Sequence, residues 1–126
     1  MEIISLDSSV LIEYYRKTQK ENSFLFQLAG SYDFKIPAIV KYEIYKGDKK
    51  KDPLWDSVFK DTEILPFDEE SAEIAARIYL DLKTRSMLIP TDDILIAATS
   101  IRNGLKLATL NKKDFDRING LQIITP

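Results

Sequence analysis

The chain contains no cysteine and no histidine. Without cysteine it cannot form a disulfide, a thiolate zinc site or a cysteine nucleophile. Without histidine it lacks the most common general acid–base and the usual partner of a nucleophilic serine. An enzyme of this composition must work with Asp, Glu, Lys or Tyr side chains, or with a bound hard cation such as Mg²⁺ or Mn²⁺.

Long apolar runs and a strong charge imbalance are also missing. No stretch approaches the roughly 18 apolar residues of a membrane span, and the start, MEIISLDSSV, has no basic region followed by an apolar block. We therefore expect a cytoplasmic protein without membrane association. The net charge of −2 and the pI near 5.2 argue against nucleic-acid binding by a broadly basic surface, but they permit a basic rim around an acidic site.

With 126 residues, of which 44% are hydrophobic, the chain suits a single domain, 1–126, with a sizeable core. Short apolar segments predict strands at 1–6, 33–36, 62–66, 105–110 and 121–125, with helical patterns between them. This alternation predicts an α/β fold, in which a central, mostly parallel sheet is flanked by helices in three layers. Ligands of such folds bind beyond the carboxyl ends of the strands.

Local signals predict how three of the helices begin. Ser8 or Ser9 can cap the first helix, and Thr91 can cap the helix that starts at PTDD. Asp68 is predicted to cap a long helix. The apolar stripe of that long helix is expected to consist of Ala72, Ala75, Ala76, Tyr79 and Leu82.

Three acidic residues fall where chemistry is expected. Asp7 follows the first strand, and Glu43 shares a helical stripe with apolar neighbours. Asp93 lies on the predicted inner face of its helix, whereas Asp92 lies on a face that is half solvent-exposed. Each acid alone has an ordinary explanation, as a helix cap, a stripe margin or a complement to the helix dipole. A bound cation is the simplest explanation for their convergence at one end of a sheet, since carboxylates in a shared cleft repel each other.

The order of these motifs resembles a PIN domain, and specifically the VapC-type toxin ribonucleases of toxin–antitoxin pairs. The matching segments are LDSSVLIE at 6–13, YEIYKG at 42–47, DDILIAAT at 92–99 and ATLNKKDF at 108–115. In this resemblance Asp7, Glu43 and Asp93 take the first three acidic positions. The fourth position is Asn111, which has no charge, and Asp114 could supply the missing carboxylate.

The resemblance implies an endoribonuclease that hydrolyses RNA phosphodiester bonds with an activated water and leaves 5′-phosphate ends. It implies Mg²⁺ or Mn²⁺ held by Asp7, Glu43 and Asp93, with Asp114 as a further catalytic carboxylate. Ser8, Asp92 and Asn111 are expected to be auxiliary residues of the same site. A cognate antitoxin and a homodimer are the partners that the resemblance implies.

The sequence does not decide which residues contact the RNA, and it leaves other functions possible. Lys46, Lys112 and Lys113 are close to the acidic motifs and could contact the phosphate backbone, although charge runs are usually solvated. The main alternative is a PIN-fold interaction module whose catalytic site has decayed, for which Asn111 is the only support. A phosphoacceptor signalling domain fits less well, because the second strand ends without an acid. A structure-specific DNA nuclease of related fold fits less well because the chain is short.

Overall fold

Five parallel strands form the centre of the protein, for which a computed structural model describes all 126 residues. The strands are β1 (Glu2–Leu6), β2 (Tyr32–Pro37), β3 (Glu63–Leu65), β4 (Leu107–Ala108) and β5 (Ile123–Ile124). Their order in the sheet is β3-β2-β1-β4-β5, and every neighbouring pair is parallel. The predicted α/β fold with a mostly parallel central sheet is therefore confirmed.

Seven α-helices flank the sheet. They are α1 (Ser8–Arg16), α2 (Phe24–Ala29), α3 (Ala38–Gly47), α4 (Pro53–Lys60), α5 (Glu69–Thr84), α6 (Thr91–Arg102) and α7 (Lys112–Phe115), and a 3₁₀ turn (Lys20–Asn22) precedes α2. The chain moves outward from β1 to β3 and then crosses back to β4 on the other side of β1. Because parallel crossovers are right-handed, this reversal distributes the connecting helices over both faces of the sheet.

The hydrophobic core is one cluster of 23 buried residues that joins the sheet to the helices. Its most enclosed helix is α6, in which Ile94 and every residue from Ile96 to Ser100 are buried. A buried helix of this kind holds its first turn firmly, and the first turn of α6 carries Asp92 and Asp93. None of the helices combines the length and the apolar character needed to cross a membrane.

The buried face of α5 differs from the predicted one. Its buried residues are Ser71, Ala75, Ile78 and Leu82. Ala72, Ala76 and Tyr79, which the sequence pattern placed in the stripe, are exposed. Ala75 and Leu82 are buried as predicted, but Ile78 takes the place of Ala76 and Tyr79 in the stripe, because isoleucine buries far more apolar area than alanine.

The predicted capping residues of α1 and α6 were also wrong. Ser8, Ser9 and Thr91 lie inside their helices, and the N-cap positions are Asp7 and Pro90, neither of which makes a capping hydrogen bond with its side chain. Both helices start at the carboxyl edge of the sheet.

The predicted cap of α5 is confirmed. The Ser71 backbone N–H donates to Asp68 Oδ1 over 2.9 Å, and the Ser71 hydroxyl donates to the same oxygen over 2.8 Å. The second bond was not predicted, and it explains how the polar side chain of Ser71 can be buried at the start of the helix.

Candidate active site

The candidate site lies at the carboxyl edge of the sheet, between β1 and β4. Asp7 directly follows β1, and its backbone N–H donates to the carbonyl of Ala108 at the end of β4 over 3.0 Å. The chain leaves β1 toward β2 on one side, while β4 and β5 lie on the other side. This position is the topological switch point, where the loops diverge and leave a crevice for a ligand.

Asp7 is the most buried acid of the site, with 3% of its surface exposed. Its Oδ2 accepts hydrogen bonds from the hydroxyls of Ser9 and Thr109, both over 2.7 Å. Its Oδ1 is buried and has no hydrogen-bond partner. One oxygen therefore fixes the orientation of the carboxylate, and the other remains available to a ligand.

Glu43 approaches the same crevice from α3. Burial raises the pKa of its carboxyl group, and the negative charges of Asp92 and Asp7 raise it further. The Ser8 hydroxyl lies close enough to oppose this shift, although no hydrogen bond of regular geometry joins the two side chains. Glu43 Oε1 is, like Asp7 Oδ1, buried without a partner.

Asp93 at the start of α6 is the most strongly perturbed acid of the site. Burial is the largest cause, and the charges of Asp7, Glu43, Asp114 and Asp92 add to it, so that the pKa of Asp93 rises from 3.8 to about 7. Four separate segments of the chain thus bring five carboxyl groups close enough together to repel one another. Such repulsion destabilises the fold and is typical of functional sites.

Asn111 occupies the space between two of these acids. Its Nδ2 donates to Asp114 Oδ2 over 3.1 Å and, more weakly, to Asp93 Oδ2 over 3.4 Å. Its backbone N–H donates to the Thr109 hydroxyl over 2.9 Å. The amide thus partly offsets the repulsion between Asp93 and Asp114 without adding a negative charge.

The donors of the site suit a hard divalent cation. They are carboxylate oxygens with no histidine or cysteine among them, which is the chemistry that Mg²⁺ and Mn²⁺ prefer. The two unpartnered oxygens, Asp7 Oδ1 and Glu43 Oε1, are buried acceptors that need a cation or a proton donor. No set of three acidic side chains is already arranged as a closed metal cage. Mutual repulsion opposes such a cage unless a cation lies between the carboxylates.

The predicted site residues divide into two groups. Seven of them meet at this crevice: Asp7, Ser8, Glu43, Asp92, Asp93, Asn111 and Asp114.

The three lysines do not contact these acids. Lys46 lies 5.2 Å from the ring centroid of Tyr42, and Lys112 is paired with Asp116. Lys113 is exposed.

Two residues of the site were not predicted from the sequence. Ser9 and Thr109 hold Asp7 through their hydroxyls, and they are also within 3.4 Å of each other. Thr109 had a usable signal, because it lies near the end of the predicted strand 105–110, close to the edge where ligands bind. Ser9 had none beyond its closeness to Asp7, since its hydroxyl could equally have capped the helix.

Comparisons with known proteins find similar sequences and structures. The family model described as the PIN domain matches residues 4–121. A protein named Ribonuclease VapC1 from Methanocaldococcus jannaschii is 37% identical over 125 residues, which are 95% of this chain and 85% of the relative. A protein of the same name from Rickettsia felis is 52% identical over 62 residues, which span 49% of this chain and only 46% of that relative.

Solved structures resemble the whole chain. A crystal structure of DNA-bound VapBC from Salmonella typhimurium superimposes with a TM-score of 0.84 at 24% identity. The match covers 99% of this chain and 98% of that chain. At this identity the likeness establishes the fold alone.

Proposed function

Because this chain belongs to the PIN domain family, we propose that it is a metal-dependent endoribonuclease and the toxin of a VapBC-type toxin–antitoxin pair. The two relatives named Ribonuclease VapC1 support the activity. The observation that carries the proposal is the meeting of Asp7, Glu43 and Asp93 at the switch point of the sheet, where two carboxylate oxygens are buried without partners.

Asp7, Glu43 and Asp93 would hold the ion, and Asp114 would add a further carboxylate. Bound there, Mg²⁺ or Mn²⁺ would supply Lewis acidity and neutralise charge on the phosphoryl oxygens of the substrate. Asp7 contributes a preset geometry, since Ser9 and Thr109 fix its Oδ2 and leave Oδ1 without a hydrogen-bond partner.

Glu43 is the residue best suited to handle a proton. In the metal-free protein its raised pKa makes the carboxylate a stronger base than an exposed glutamate. Its Oε1 has no competing hydrogen-bond partner and can therefore orient an attacking water and accept its proton. Attack by water, rather than by the ribose 2′-hydroxyl, would leave a 5′-phosphate on one product and a 3′-hydroxyl on the other.

We further propose an antitoxin protein as the partner, a homodimer as the assembly and the cytoplasm as the location. The antitoxin is supported by structural neighbours whose names describe VapBC complexes. The homodimer is supported by exposed apolar side chains on α5 and the loop after it, namely Tyr79, Leu80, Met87 and Leu88. The mass of the protein in solution, measured by light scattering, tests the dimer.

The activity is tested by incubating the protein with single-stranded RNA in Mn²⁺, in EDTA, and in Mn²⁺ with an Asp7→Asn variant. We expect cleavage only by the wild type in Mn²⁺, with 5′-phosphate ends on the products. Asp61→Asn, which changes an exposed acid at the end of α4, is the matched control and should cleave like the wild type. Equal cleavage in all samples would indicate a contaminating nuclease and refute the proposal.

A second candidate is a PIN-fold interaction module without catalysis. Two observations favour it: Asn111 brings N–H donors to the fourth acidic position, and the acids are not arranged as a closed cage. Under this alternative the wild type would bind a protein partner but would not cleave RNA in Mn²⁺. An Asn111→Asp variant that gained activity would then identify the missing charge as the cause.

A further inference from the structure

A cavity of about 450 Å³ opens beside the candidate active site, along α1. Its lining consists of Ser9, Ile12, Glu13, Arg16, Lys17 and Leu110. Ser9 connects the cavity to the site, because its hydroxyl donates to Asp7 Oδ2 and accepts the backbone N–H of Leu110 over 3.0 Å. A ligand in this cavity would therefore lie against the same hydroxyl that holds Asp7.

Arg16 provides this cavity with a positive charge that no carboxylate neutralises. Three of the five arginines are engaged elsewhere, namely Arg85, Arg102 and Arg117. Arg16 and Arg77 make no ion pair, and only Arg16 lines the cavity beside the site.

The other charges in the cavity are already satisfied. Glu13 Oε1 accepts the backbone N–H of Phe24 over 2.9 Å, and Glu13 Oε2 lies 4.0 Å from the ammonium of Lys17. The carboxylate of Glu13 is thus balanced within the protein. The cavity consequently presents the charge of Arg16, which is complementary to a phosphate.

Ile12 and Leu110 give the cavity an apolar wall that suits a flat ring. Ile12 is half-buried and packs against the hydrophobic core, and Leu110 exposes 38% of its surface. A cavity of this volume, with one wall of aliphatic side chains and one free guanidinium, falls in the size range of small-ligand sites. A nucleotide has both parts, an anionic phosphate and a base with apolar faces.

We propose that this cavity binds the nucleotide next to the scissile bond, with its phosphate on Arg16 and its base against Ile12 and Leu110. The inference rests on the proposed ribonuclease function and names a substrate subsite at a different place from the predicted lysines. Arg16 follows Ser9 by seven residues, which corresponds to about 10 Å along the helix axis. The guanidinium therefore contacts a phosphate adjacent to the reaction centre and acts in substrate binding.

The role of Arg16 is tested by the kinetics and salt dependence of cleavage of fluorescent single-stranded RNA in Mn²⁺. We expect Arg16→Ala to raise KM about tenfold with little change in kcat. The slope of log KM against log salt should fall by about 0.7, the value for one phosphate contact with a single strand. Arg16→Lys should keep this slope, because it keeps the charge. Arg77→Ala, an exposed helical arginine outside the cavity, is the matched control and should behave like the wild type.

The base contact is tested with substrates that carry one abasic ribose at successive positions. At one position next to the cut, removal of the base should slow cleavage by the wild type several-fold. The same abasic substrate should be cleaved equally by the wild type and by Leu110→Ala, because the variant has already lost the contact. Melting temperatures of the variants close to that of the wild type would show that they are folded.

The outcomes separate this inference from the proposed function. Cleavage that depends on Mn²⁺ but is unchanged in Arg16→Ala and Leu110→Ala would overturn the subsite and leave the ribonuclease standing. RNA binding that depends on Arg16, measured by fluorescence anisotropy without any cleavage, would support the subsite and refute the enzyme. Variants that bind and cut RNA normally but lose affinity for a protein partner would overturn the inference, since the cavity would then be a protein contact.

Discussion

Replacing Asp93 by asparagine should make the metal-free protein more stable above pH 7, although it removes a residue proposed to be catalytic. The pKa of Asp93 is raised from 3.8 to about 7, mainly by burial and then by the neighbouring carboxylates. Between these two pH values the folded state keeps a proton that the unfolded state has lost. Stability therefore falls as pH rises through this window, and the full penalty is present above pH 7.

The size of the effect follows from the shift of the pKa. A difference of about three pH units corresponds to roughly 4 kcal/mol at full strength. Asp93 is only half-buried, so solvent screening reduces the expected gain of Asp93→Asn to about 1–2 kcal/mol at pH 8. For a domain of this length, that gain corresponds to a melting temperature higher by about 3–8 °C. The advantage should disappear below about pH 4, where the aspartate is neutral in both states.

Thermal melting followed by circular dichroism in EDTA, from pH 4 to pH 8, measures this difference. Asp61→Asn, which changes an exposed acid outside the site, is the control and should not reproduce the pH-dependent gain. A variant that is less stable than the wild type at pH 8, or a difference that does not change with pH, would refute the idea that Asp93 is a repelled carboxylate.

Three other substitutions test hydrogen bonds that hold the site and the fold in place. Thr109→Val should destabilise the protein by about 1–3 kcal/mol and slow RNA cleavage, because the buried carboxylate of Asp7 loses a donor; Thr109→Ser should restore both. Arg117→Ala should cost about 1–2 kcal/mol in urea unfolding, because its guanidinium donates to two carbonyls of the loop before α6, and Arg117→Lys should recover only part of this. Asp68→Ala should lower stability by about 1 kcal/mol through the lost cap of α5 and leave cleavage unchanged; a loss of activity would show that this cap also supports the site.

The alternation of strands and helices could be predicted because it depends on local patterns. The predicted strands 1–6 and 105–110 end beside Asp7 and Asn111, and the rule for parallel sheets then placed these ends at one edge. The order of the strands could not be predicted, because it depends on pairing between segments as distant as β1 and β4. The switch point at β1 and β4 is therefore a result of the structure.

The acidic residues of the candidate site could be predicted from the sequence, but the hydroxyl groups that hold Asp7 in place could not. Asp93 stood out because it shares a helical face with residues that must be buried. Asp92, by contrast, looked like a helix-dipole residue, yet its charge raises the pKa of Glu43. The hydroxyl contacts of Ser9 and Thr109 required coordinates, since a serine beside a helix start is more often a cap.

The shared metal site of Asp7 and Glu43 is tested most directly by calorimetric titration of Mn²⁺ into the wild type, Asp7→Asn and Glu43→Gln at one pH. We expect a saturable site in the wild type whose affinity falls about tenfold or more in each variant, because both side chains would hold one ion. Asp61→Asn should titrate like the wild type. Equal affinity in all the proteins, or no binding by the wild type at millimolar Mn²⁺, would contradict a shared site at the edge of the sheet.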